Sequence, residues 1–87
     1  MFNIGQRVRI SKDYTWAQNA LGTIAYPPYS IIDYDIKGYA RFVTGVKGSI
    51  LFYYVEFDTP HCDADGDGPY RGAEIAEDDL TLIFDPR

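Results

Sequence analysis

Polar and apolar side chains alternate along Gln6-Arg7-Val8-Arg9-Ile10, with Val8 and Ile10 on one face and Arg7 and Arg9 on the other. That period of two predicts a half-buried strand. Ser11 to Ala20 shows no periodicity and predicts a loop. Leu21 to Tyr26 predicts a second strand, with Gly22 near its start where a bulge or a close backbone approach belongs. Pro27-Pro28 stops it, because neither ring can donate to a sheet ladder. Arg41 to Val46 and Ser49 to Phe57 predict a hairpin around Lys47-Gly48, with Gly48 free to take a positive φ. In the second arm Ile50, Phe52, Tyr54 and Glu56 share one face, and Leu51, Tyr53, Val55 and Phe57 share the other. Both faces are largely apolar, which marks a central strand. Thr59 to Gly72 predicts a loop, Glu77-Asp78-Asp79-Leu80 a single helical or 3₁₀ turn, and Leu80 to Phe84 the closing strand.

The expected fold is therefore all-β: a small SH3-like antiparallel barrel of about five strands, with a long insertion at 27–40 and an acidic loop at 58–72. Closure removes exposed sheet edges in a chain of 87 residues, which is short enough to be a single domain spanning 1–87. Val8, Ile10, Ile24, Val55, Phe57, Leu80 and Leu82 are the expected core. Gly5-Gln6-Arg7-Val8-Arg9-Ile10, followed by Gly22-Thr23-Ile24, resembles the opening of SH3-like barrels of the KOW type. Tyr53 to Asp58 and Glu77 to Ile83 resemble the rest of that barrel. The pattern is also similar to the nitrile hydratase β subunit, the small stromal subunit of photosystem I and the ferredoxin–thioredoxin reductase variable chain. The resemblance implies a fold rather than a function, because such barrels serve in translation, enzyme assembly and electron-transfer docking alike.

Charge narrows the partners. Residues 1–55 carry six basic side chains against three acids, whereas residues 56–87 carry ten acids against Arg71 and Arg87, for an overall −5. The acidic last third repels nucleic-acid phosphate, so RNA binding of the KOW type is a minor alternative. One cysteine, Cys62, excludes an internal disulfide and suits a reducing, cytoplasmic compartment. No apolar run is long enough for a membrane helix, and the opening residues do not form a signal peptide.

Two constellations carry chemistry. Asp63-Ala64-Asp65-Gly66-Asp67-Gly68-Pro69-Tyr70-Arg71-Gly72-Ala73-Glu74 matches the twelve-residue calcium loop of EF hands at every fixed position. Asp63, Asp65 and Asp67, the Pro69 carbonyl and a bidentate Glu74 would give Ca²⁺ its hard oxygen ligands. Ca²⁺ is the one cofactor this reading points to. Against it stand an entry from a strand and Arg71 at a ligand position, and the plain alternative is a solvated acidic loop. Tyr14, Trp16, Tyr26 and Tyr29, beside Pro27 and Pro28, form the other candidate: an aromatic groove for a protein partner. The competing reading is that these rings close the barrel ends. His61 and Cys62 are adjacent, and neighbours on extended chain point to opposite faces, so no nucleophile–base pair is expected there. The expectation is a non-catalytic docking module acting as a monomer or as a small subunit of a complex.

Overall fold

The computed structural model describes residues 2–28, 34, 36–46 and 48–83. Six strands follow one another: β1 (Arg7–Ile10), β2 (Leu21–Ile24), β3 (Ala40–Gly45), β4 (Gly48–His61), β5 (Tyr70–Ala76) and β6 (Leu80–Leu82). A 3₁₀ turn at Glu77–Asp79 leads into β6. All pairings are antiparallel. They form a curled all-β half-barrel compatible with an SH3-like barrel. Of the insertion expected at 27–40, residues 29–33 and 35 lie outside the described residues.

β4 organises the sheet. Its Tyr54 N–H donates to the Tyr39 carbonyl, and its Tyr54 carbonyl accepts from the Ala25 N–H, each at 3.1 Å. In an antiparallel strand, both backbone groups of one residue point to the same edge. β3 and β2 therefore lie end to end along one edge of β4, and β5 takes the opposite edge, with Tyr53 paired to Ile75 and Val55 to Ala73. A register shift between Glu56 and His61 bends β4 away from β5. β1 bridges β2 and β6.

Alternation then selects the core. Leu51, Tyr53, Val55 and Phe57 of β4 face inward with Val8, Ile10, Ile24, Ile75 and Leu80. Ala17 and Ala20 of the first loop and Tyr39 complete this cluster, with Phe2, Tyr14, Trp16 and Ile36 packed around it. The expected core holds except at Leu82, which is 51% exposed. Leu82 pairs with buried Val8, but it ends the edge strand β6, where less of the sheet remains to cover it.

Two boundaries differ from the sequence reading. β4 runs on to His61 and β5 begins at Tyr70, with His61 and Tyr70 paired, so the acidic loop is residues 62–69 rather than 58–72. Among the described residues the strands number six, because β5 occupies residues that the calcium pattern places in a loop. The hairpin is as expected: Gly45 pairs with Gly48, and Gly48 takes a φ of 113°.

Candidate functional site

The first loop delivers Tyr14 and Trp16 onto the barrel rather than into water. Trp16 packs edge-on against Phe57 with ring centroids 5.6 Å apart, lies 5.8 Å from Tyr70, and contacts Tyr14 at 6.2 Å. Both loop rings are half-buried. Burial, and then the charge of Asp79, push the Tyr14 hydroxyl above its ordinary pKa. Tyr26 belongs elsewhere: it stands 61% exposed against Tyr39, at 6.0 Å. Tyr29 lies outside the described residues. Tyr14 and Trp16 thus form one group with Phe57 and Tyr70, and Tyr26 forms another with Tyr39.

In the acidic loop, one carboxylate oxygen from each of Asp63, Asp65 and Asp67 lies within 4.8 Å of the others. Asp63 Oδ1 accepts the N–H groups of Asp65 at 3.0 Å and Asp67 at 2.9 Å, so one carboxylate folds the turn. Its charge also raises the pKa of the neighbouring Tyr70. Pro69 sits exposed at the end of this loop. Glu74 does not join the cluster. It lies in β5 opposite Tyr54, where Arg41 grips it through Nε at 2.6 Å and a second nitrogen at 2.8 Å. Burial would raise the Glu74 carboxyl, but hydrogen bonds from Arg41 and Tyr34 outweigh it and hold the group below the usual carboxylate range. The Tyr34 ring covers the Arg41 guanidinium at 5.8 Å.

Beside this ion pair, the convex face of β4 opens into a cleft of about 390 Å³. Tyr54, Glu56, Phe57, Asp58 and Pro60 of β4 line it, while Pro28 and Arg71 enter from beyond β2 and from β5. Asp58 is clamped by Arg7, whose hydrogen bonds depress its pKa, and Arg7 also reaches Thr23 Oγ1 at 2.9 Å. Glu56 is exposed and has no ion pair among the described residues. Arg71 is exposed as well. His61 packs edge-on against Phe57 at 5.4 Å, and Cys62 is exposed.

A strand predicted to end at Phe57 hides this cleft. The signal was present: continuing the period of two puts Asp58 and Pro60 on the face of Glu56. The Arg41–Glu74 pair carries no such signal, since it depends on β3 and β5 flanking β4 on opposite edges. None of the described helical segments is long and apolar enough to cross a membrane. Compared with family models, curated proteins and solved structures, the chain matches none.

Proposed function

We propose that this protein is a non-catalytic docking module that holds an extended, basic segment of a protein partner in the cleft over Tyr54. One observation carries the reading: a cleft of about 390 Å³ lined by the apolar surfaces of Pro28, Tyr54, Phe57 and Pro60 together with the charged side chains of Glu56, Asp58 and Arg71. Proline and tyrosine offer flat, stiff apolar surfaces that lose little entropy on binding, as peptide grooves require. The Glu56 carboxylate then selects a Lys or Arg on the bound segment, while Asp58 is already neutralised by Arg7. The likeness of Gly5–Ile10 and Gly22–Ile24 to KOW-type barrels supports the same reading, because that class works as a binding platform.

The test is charge reversal. Short proline- and lysine-rich peptides should bind the wild-type domain, Glu56→Lys should weaken them by about tenfold or more, and an arginine-free, glutamate-rich peptide should not bind. Equal affinity for wild type and Glu56→Lys removes the proposal.

A further inference from the structure

The cleft over Tyr54 is lined by charges of both signs. Asp58 is already paired with Arg7. Glu56 and Arg71 line the same cleft, are exposed, and have no ion-pair partner among the described residues. The cleft therefore offers a ligand one unpaired acid and one unpaired base.

The fold sets where these two charges stand. Glu56 pairs with Gly72, and the next pair between the same strands is His61 with Tyr70. Residues 57–60 of β4 therefore face Arg71 alone. An irregularity of this kind re-aims the side chain it frees from the ladder, and Arg71 enters the cleft from that position. A Cβ on Gly72 would lie 2.5 Å from the Tyr54 hydroxyl oxygen, so the Tyr54 ring reaches from β4 across β5 at the residue next to Arg71. An aromatic floor is thus bracketed by an acid on β4 and a base on β5.

From this geometry we infer that Arg71 is a second specificity-determining residue of the cleft. It reads a carboxylate that the partner segment carries two residues from the Lys or Arg held by Glu56. The inference rests on the docking reading above and narrows its partner from a basic segment to one of mixed charge. A segment with cations alone sets one of them against Arg71 and loses there what it gains at Glu56. A carboxylate instead meets the planar guanidinium with two parallel hydrogen bonds.

The spacing follows from strand geometry. Arg71 is one residue beyond the partner of Glu56, which places their Cα atoms about 6 Å apart across the ladder. On an extended segment, side chains two residues apart point the same way, with their Cα atoms about 7 Å apart. A Lys and a Glu so placed can meet Glu56 and Arg71 together, with the intervening residue turned away from them.

The experiment is titration calorimetry of the whole chain with three proline-rich peptides that differ at one position, carrying Lys-Pro-Glu, Lys-Pro-Gln or Lys-Pro-Lys, each in both chain directions. Wild type should bind the Lys-Pro-Glu peptide about fivefold more tightly than Lys-Pro-Gln, with Lys-Pro-Lys weakest. Arg71→Gln should abolish the difference between the first two. Arg71→Glu should invert the order, so that Lys-Pro-Lys binds best, an outcome that a merely structural role would not produce. Arg71 is exposed and outside any ion pair among the described residues, so both variants should fold, which melting would verify. A Lys-Pro-Gln peptide that binds wild type and is lost in Glu56→Lys, with no preference for Glu over Gln, would overturn the role of Arg71 and leave the docking reading standing. An order of affinities unchanged in Arg71→Glu would overturn it in the same way. Binding of none of the peptides to wild type would remove both readings.

Discussion

The Tyr53 hydroxyl sits at the floor of the half-barrel with no solvent exposure, and it is satisfied from both sides. It accepts the Phe2 N–H at 2.9 Å and donates to Glu77 Oε2 at 2.8 Å. Burial leads the causes that push its pKa up to about 12. The folded state therefore favours the protonated phenol, and that contribution is complete below about pH 10 and is lost as pH rises toward 12. Tyr53→Phe keeps the ring but strands an N–H and a carboxylate, so it should cost about 1–3 kcal/mol in denaturant melts at neutral pH. It should also blunt the loss of stability in alkali.

Glu74 and Asp58 work at the other end of the pH scale. Both carboxyls are depressed by arginine partners, Arg41 and Arg7, so their contribution is present above the ordinary carboxylate range and disappears as pH falls through the depressed values. Each pair is partly exposed, and solvent screens it, so the sum is modest. Acid melts of Arg41→Gln should start from a lower plateau and fall less steeply below about pH 4 than wild type. Parallel curves would show that the pair contributes nothing.

At the scale of elements, β2 depends on one missing side chain. A Cβ on Gly22 would lie 2.6 Å from the Glu56 carbonyl oxygen and 2.7 Å from Val55, so β2 and β4 approach this closely only because residue 22 is glycine. Gly22→Ala should cost about 1–3 kcal/mol and broaden the amide signals of Gly22–Ile24 first. The sequence made that approach legible, as it did β1, β2, the hairpin and the inward face of β4, because there the alternation is clean and the turn residues are unambiguous. β5 was hidden for a physical reason. Gly72 has no side chain to show a face, and Arg71 and Glu74 bring charge to a strand whose partners come from distant segments. The acidic motif drew Glu74 into a local pattern, whereas in the fold a contact with Arg41, 33 residues away in sequence, holds it. The loop thus offers Ca²⁺ three carboxylates without the bidentate glutamate that tightens such sites. Ca²⁺ at about 1 mM should accordingly raise the Tm no more than ionic-strength-matched NaCl does. An excess of several degrees would mean that Glu74 leaves Arg41 to bind the ion. Asp63→Ala should loosen residues 63–67 in either salt, because Asp63 is what folds that turn.

At the scale of the whole molecule, Glu56, Asp58, Asp63, Asp65 and Asp67 gather five acids on the bent end of β4 and in the 62–69 loop. A basic partner segment is thus steered toward the cleft over Tyr54, and its affinity should fall as NaCl is raised from low to physiological strength. The most direct measurement is an amide-shift titration of the labelled chain with a proline- and lysine-rich peptide, repeated on Glu56→Lys. The account predicts shifts concentrated at Pro28-flanking residues, Tyr54, Glu56, Asp58 and Arg71, and their disappearance in the variant. Shifts centred instead on Tyr14, Trp16 and Tyr70, or no saturable shifts at all, would contradict it.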